Sequence, residues 1–362
     1  MKIHEIDQNF DTTFESPSDI QWHSPLKEPF SLHGMFYSEE EKLYRRLLKK
    51  FAASINEKIA FLAQNTAGGR IRFQTSSPYI ALRVEEPFDE PLPHMTIFGK
   101  NGISIFANQE YVGCIAPTYS QIVQGDPAFN GSGKILFDGI TKPQIEGLYQ
   151  VELFLPLYSG LISIYIGLKD GSILLPPTSY KHPKPVLFYG SSITQGACAS
   201  KPGDDYISRL SRRLDFDFIN YGFSGNAKAE PQMAKYLSQQ EASVFVLDYD
   251  HNAPDENYLR KTHYPLYKTI RDANPTTPIL FMTMPGFENW KDRPANKARR
   301  EVIFETYKKA KEDGDNNVYF IDCYGCFGDQ NKCGTVDNGH PNSLGFEKMA
   351  EKVYPILKEL LQ

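Results

Sequence analysis

The sequence predicts an α/β domain built on a parallel five-stranded sheet, residues 183–362, preceded by an all-β sandwich of jelly-roll type, residues 1–178. Three observations carry this expectation: a long stretch of period-two strands, a proline-rich break, and a stretch in which short apolar runs alternate with longer amphipathic ones. Between Gly69 and Leu175, RIRFQTSSPYIALRVE, HMTIFGKNGISIFANQEYVG, KILFDGI and YQVELFLPLYSGLISIYIGL mix β-branched and aromatic residues with Gly, Asn, Pro and Ser, as antiparallel strands and their turns do. Ahead of them, SEEEKLYRRLLKKFAASINEKIAFLA reads as an amphipathic helix from Ser38, parts of which a β domain could use as strand or connection. LLPPTSYKHPKP, from Leu174 to Pro185, holds four prolines that fix φ and remove backbone donors, so it reads as the linker.

After the linker the period changes. PVLFYG precedes a helix from Asp204 to Leu214, DFDFINYG one from Glu230 to Leu237, and SVFVLDYD one from Glu256 to Asp272. PILFMTMP leads to a helix from Asp292 to Asp313, and VYFIDCYG to a last one from Ser343 to Leu361. Five strands alternating with helices imply right-handed crossovers, a sheet covered on both faces, and function gathered beyond the carboxyl ends of the strands.

Composition narrows the function. A chain of 362 residues can form two cores without disulfides, and no run of 18 apolar residues offers a membrane span. The 39 basic and 44 acidic residues give a net charge of -5 with no run of either sign, which leaves no electrostatic footprint for nucleic acid or an anionic membrane. A small molecule or a carbohydrate ester is the expected partner; the oligomeric state is left open. The start, MKIHEIDQNFDTTF, lacks an apolar segment, so the expectation is a cytoplasmic protein, or a secreted one whose signal has been removed. Five cysteines are an odd number, against a complete disulfide framework. Cys323, Cys326 and Cys333 with His340 could be read as a zinc site and Cys326 with Cys333 as a redox pair, but a structural zinc wants a second ligand pair. Plain thiols are expected, and no metal or cofactor.

Each strand end of the second half carries a candidate group. GSSIT offers Ser191 and Ser192, NYGFSGNAK offers Gly222, Gly225 and Asn226, DYDHNAP offers Asn252, and VDNGHPNSLGF offers Asp337 and His340. Acyl transfer needs this set, because a hydroxyl requires a base and the oxyanion formed on attack requires donors already in position. His340 suits the base and Asp337 the group that holds its tautomer, while the Ser192 and Gly225 amides and the Asn252 carboxamide can donate to the oxyanion.

These residues resemble the SGNH, or GDSL-type, hydrolases, and YGSSITQGACASKPG resembles a subgroup whose catalytic domain follows a β-sandwich. The resemblance implies a three-layer flavodoxin-like domain. By register with the GDS block it makes Ser192, not Ser191, the nucleophile; it further implies His340 and Asp337 as its partners, and Ser192, Gly225 and Asn252 as the oxyanion hole. Two positions depart from the family pattern: Ser191 stands for the aspartate of GDS, and Asp250 where the third block often has glycine. His251, His263 and Asp248 have no step to fill and read as structural or solvated. Phe98, Phe106, Tyr111 and Tyr158 read mostly as core, with a sugar-stacking platform as the alternative.

The expected activity is a serine esterase acting on short-chain acyl esters, acetyl foremost, of a carbohydrate or similar polar compound; the constellation implies the reaction type and the resemblance implies the substrate. The alternatives are a lysophospholipase or thioesterase of the same family, and an inactive glycan-binding protein. The acetyl expectation rests on four polar loops around Ser192, ACASKPGDD, SGNAKAEP, DHNAPDEN and VDNGHPNS, none of which offers an apolar wall. Only the first domain could add one, with Phe98 or Tyr111 as the candidates.

Overall fold

The computed structural model describes residue 6 and residues 15–129, 131–286, 293–328 and 333–362. It opens with β1 (Ile20–His23), β2 (Ser31–His33) and β3 (Phe36–Ser38), which turns back as β4 (Leu43–Arg45) before α1 (Lys49–Ile55) and α2 (Glu57–Leu62). The single helix expected from Ser38 is thus a hairpin followed by two short helices. Burial of its charged face is the reason: Tyr37 and Tyr44 pack edge to face across the hairpin, ring centroids 5.1 Å apart, and the Arg45 and Arg46 guanidiniums are buried and donate to backbone carbonyls. Asn56 then ends α1 in extended backbone and caps α2, its side chain accepting from Ile59 N at 2.8 Å.

The strands that follow are β5 (Arg70–Thr75), β6 (Ile80–Pro87), β7 (Ile103–Ala107), β8 (Glu110–Ile115), β9 (Lys134–Thr141), β10 (Tyr149–Phe154), β11 (Ser163–Lys169) and β12 (Leu174–Leu175). Short helices interrupt them, α3 (Ile97–Asn101) and α4 (Tyr119–Gly125). The α3 segment was expected to be strand. Thr96 makes it a helix, because its hydroxyl accepts from Gly99 N at 2.8 Å and donates to Ser200 O of the second half at 2.8 Å. Two antiparallel sheets, ordered β1-β11-β6-β9 and β12-β5-β10-β7-β8 with β2 beside β5, face each other. Ile71, Phe73, Leu82, Val84, Ile105, Val151 and Ile166 belong to the buried cluster between them, as period-two patterning requires of a sandwich. Only residues 176–181 remain as connection, since β12 pairs with β5 and the next strand begins at His182.

In the second half, β13 (His182–Gly190), α5 (Ser192–Gln195), α6 (Tyr206–Leu214), β14 (Phe216–Gly222), α7 (Pro231–Ser238), β15 (Val244–Asp248), α8 (Glu256–Ala273), β16 (Ile279–Met282), α9 (Arg293–Glu312), β17 (Val318–Ile321) and α10 (Ser343–Leu360) follow in turn. All five strands are parallel in the order β14-β13-β15-β16-β17, the flavodoxin-like arrangement, with the switch beside β13. Alternate residues face opposite layers. Leu187, Phe245 and Phe281 pack with α7, α8 and α9, whereas Phe188, Val246 and Leu280 pack with α6 and α10. Both cores run on into the first half, one taking in Ala52 and Ile59, the other Phe106, Phe154 and Tyr158. Among the described residues no helix is long and apolar enough to cross a membrane.

Candidate active site

Ser192 is the first residue of α5, directly beyond the carboxyl end of the central strand β13. The turn is tight: a Cβ on Gly190 would collide with Thr194 Oγ1 and the Asp248 carbonyl. Ser191, in the place of the family's aspartate, caps α5, its hydroxyl accepting from Ile193 N at 3.1 Å. As the first residue of a helix, Ser192 has a backbone N–H with no intrahelical partner. Its Oγ lies 2.9 Å from His340 Nε2, and His340 Nδ1 lies 2.7 Å from Asp337 Oδ2. Asp337 Oδ1 accepts from His340 N at 2.7 Å and from Gly339 N at 3.0 Å. Burial pushes the Asp337 pKa up, but these hydrogen bonds and the nearby imidazole outweigh it and hold the carboxyl below its usual range. The loop is pinned at both ends, by Val336 N donating to His340 O at 2.9 Å and by Asn342, whose side chain accepts from Leu344 N and Gly345 N to cap α10.

Gly225 has φ +66 and open space where a Cβ would stand. The conformation favours glycine, and among the described residues no carbonyl takes up its N–H. Asn252 lies in the turn after β15, and its Nδ2 donates to Phe223 O at 3.0 Å, two residues before Gly225. It therefore braces that loop and has its second N–H to offer. Asp250 is almost fully buried and staples the same turn, accepting from Met284 N at 3.0 Å and from the His251 ring at 3.0 Å. Asp248 accepts from Thr194 Oγ1 at 3.1 Å, and burial raises its pKa to about 6. His263 stacks on Tyr249 in the core, and burial lowers its pKa to about 4.

The first half contributes groups that sequence reasoning missed. Arg46 donates to Asn65 O and Leu62 O in its own domain and to Asn220 O and Gly222 O at the end of β14, at 2.7 to 2.9 Å. The Phe223 ring lies 4.8 Å from this guanidinium, so the strand that feeds the Gly225 loop is held by a buried cation from another domain. Burial lowers its pKa to about 9, which leaves it charged at neutral pH. Tyr158 donates to Ser192 O at 3.3 Å. His94 stands beside His340, ring centroids 5.8 Å apart, and its carbonyl accepts from Cys198 Sγ at 3.4 Å. A cavity of about 470 Å³ opens beside the Gly225 loop, lined by Phe61, Leu62, Leu92, Tyr158, Ser224 and Asn226 among others. The first half contributes Phe61, Leu62, Leu92 and Tyr158 to this cavity, and neither of the two residues expected to form a wall. Phe98 is exposed, and Tyr111, half exposed, lies 4.6 Å under Lys201 Nζ.

Among the described residues two groups bring potential metal ligands within 4.8 Å of one another, His94 with Cys198 and His340, and Asp248 with Asp250 and His251. Cys323, Cys326 and Cys333 belong to neither; Cys323 is buried and Cys333 is an exposed free thiol.

Residues 183–358 match the model of the GDSL-like lipase/acylhydrolase family, and residues 20–174 match the N-terminus of SGNH-hydrolase-type esterases. No curated protein matches the chain. Among solved structures, a Bacteroides ovatus protein described as a GDSL-like lipase is 28% identical, with a TM-score of 0.81 over 94% of this chain and 98% of that one. A salicylyl-acyltransferase from a tetracycline biosynthetic pathway is 18% identical, with a TM-score of 0.76 over 95% and 98%. A family two carbohydrate esterase from Clostridium thermocellum, in complex with cellohexaose, is 15% identical, with a TM-score of 0.57 over 82% and 93%.

Proposed function

The chain is an esterase/acylhydrolase of the GDSL family that carries the N-terminal domain of SGNH-type esterases, and we propose that it hydrolyses short-chain acyl esters of a carbohydrate or similarly polar alcohol with Ser192 as nucleophile. The observation that carries this reading is the row from Asp337 through His340 to Ser192, with contacts of 2.7 and 2.9 Å. His340 Nε2 takes the hydroxyl proton as Ser192 Oγ attacks the ester carbonyl, and Asp337 keeps the other ring proton on Nδ1. The oxyanion is met by the Ser192 and Gly225 backbone amides and the second N–H of Asn252. Collapse of the intermediate breaks the bond to the alcohol, which receives the proton from His340. Water, activated by the same ring, then releases the acyl group as a carboxylic acid.

The polar alcohol is supported by the surroundings of His340 and His94, where Ser200, Lys201, Asp204 and Ser343 form a hydrogen-bonded set able to meet sugar hydroxyls. Carbohydrate esterases among the structural neighbours share the fold, and the carbohydrate reading draws on their names only by analogy. Nothing favours the inactive glycan-binding reading, because Ser191 caps α5 and Asp250 staples a turn, each a structural role compatible with activity. A fluorophosphonate probe tests the proposal: rapid stoichiometric labelling of Ser192, abolished in Ser192→Ala, is expected, and an unlabelled wild-type protein would overturn it.

A further inference from the structure

We propose that the first domain builds the acyl pocket of this site, and that the pocket takes a compact apolar acyl group, butyryl to hexanoyl, in preference to acetyl. The inference rests on Ser192 being the nucleophile. The cavity of about 470 Å³ beside the Gly225 loop falls within the range of small-molecule sites, roughly 300–1,000 Å³, and far exceeds what one methyl needs. Four apolar side chains of the first half line it. Phe61 and Leu62 come from α2, Leu92 from the loop after β6, and Tyr158 from the loop after β10, its hydroxyl already engaged by Ser192 O. Of its three charged members, Glu57 and Lys58 are exposed and form the rim, and the third, Asp89, is half-buried with its carboxylate 3.6 Å from Lys100 Nζ.

The two sides of the scissile bond can be told apart. The alcohol must receive a proton from His340, so it leaves on the side of His94 and Cys198. The cavity includes none of these; instead it holds Ser224 and Asn226, the two neighbours of Gly225. A carbonyl whose oxygen points at the Gly225 amide and whose alcohol points at His340 has its acyl chain directed along the Gly225 loop, into the cavity. The loop of residues 88–96 divides the sides. Leu92 lines the cavity, a turn closed by Met95 N on Leu92 O at 2.9 Å follows, and His94 within that turn stands against His340. This wall is what the four polar loops of the catalytic domain lack, and it is why the preference proposed here departs from the acetyl one expected from them.

The test is kcat/KM of the full chain on p-nitrophenyl acetate, butyrate and hexanoate, with the leaving group held constant. A rise of about four-fold for each methylene that becomes buried is expected. Phe61→Ala and Leu92→Ala should each lower the hexanoate-to-acetate ratio several-fold; Phe61 is half exposed, so its variant carries little folding risk. A wild-type preference for acetate, or a ratio that neither variant lowers, overturns the pocket. Ser192→Ala run alongside separates the two readings: its inactivity on all three esters with a flat wild-type series leaves the nucleophile standing and removes the pocket, whereas retained turnover removes the nucleophile itself.

Discussion

Replacing Asp337 by asparagine takes away one charge and almost no volume, which isolates how the imidazole is held. An asparagine oxygen can still accept from His340 N and Gly339 N, now at 2.7 and 3.0 Å from Oδ1, so the loop keeps its shape. The other position becomes an NH2 facing Nδ1 across the present 2.7 Å contact. Two donors cannot share that contact, so the ring proton moves to Nε2, and Nε2 no longer accepts from Ser192 Oγ. In a buried Ser-His-Asp system this change costs about 10⁴ in kcat. The Asp337 side chain is 38% exposed, so water screens its charge and can solvate a rotated amide. A loss of about 10²–10³ follows, or about 2.7–4 kcal/mol of transition-state stabilisation. The assay is kcat on a p-nitrophenyl ester over about pH 5–9, with thermal unfolding as the check on folding. Over that range Asp337 adds no ionisation of its own to the profile, because its carboxyl is held below the usual range and stays ionised throughout. A folded Asp337→Asn enzyme within about three-fold of wild type would refute the reasoning and assign the ring's orientation to another group.

Ser192→Ala should abolish hydrolysis, whereas Ser191→Ala loses a helix cap worth about 1 kcal/mol and keeps most activity; equal loss in both would reverse the nucleophile assignment. Arg46→Met leaves three buried carbonyls and one half-buried one without their charged donor and should cost about 3–5 kcal/mol in urea unfolding, with lower kcat in the folded fraction; a loss below about 1 kcal/mol would remove its bracing role. Glu86, fully buried on β6, has its pKa raised to about 8 by burial, against hydrogen bonds from Asn101 and Ser159. The unfolded chain releases that proton near pH 4.3 and the folded one near 8, so stability is highest below this window and falls across it, at a limiting slope of about 1.4 kcal/mol per pH unit. Glu86→Gln should flatten the melting temperature between those limits, and an unchanged slope would place the pH dependence elsewhere. EDTA should leave turnover unchanged, since serine, imidazole and amides complete the mechanism; loss restored by zinc would bring in His94, Cys198 and His340 together.

Local chemistry made much of the second half legible. Short apolar runs, prolines and caps such as Asp205, Asp255 and Asn342 act within a few residues, so the strands and most helices could be read directly. That Ser192, His340 and Asp337 lie together could be read because each sits at a strand end or just before a helix, where topology gathers them. The region from Ser38 to Leu62 was misread because its arginines, polar by type, are buried and satisfied by distant carbonyls. Thr96 likewise owes its helix to a partner, Ser200, more than a hundred residues away. Long-range hydrogen bonds leave no period in the sequence.

The same physics explains why the acyl side of the site was invisible. A pocket made of Phe61, Leu62, Leu92 and Tyr158 draws on three segments, and in none of them does the apolar residue break the local pattern. Leu62 looks like the buried face of a helix, Tyr158 like sandwich core, and Leu92 like a loop residue between prolines. They become a wall only because Arg46 fixes α2 to the end of β14, Tyr158 bonds the Ser192 carbonyl, and Thr96 ties the 88–96 loop to Ser200. Those three bonds end on the last residue of β14, on Ser192 itself and on the loop beyond α5. A shift of the first domain would therefore move the wall and the oxyanion donors together, which is how a sandwich that supplies none of the groups proposed for the chemistry can still set which acyl group the chemistry meets.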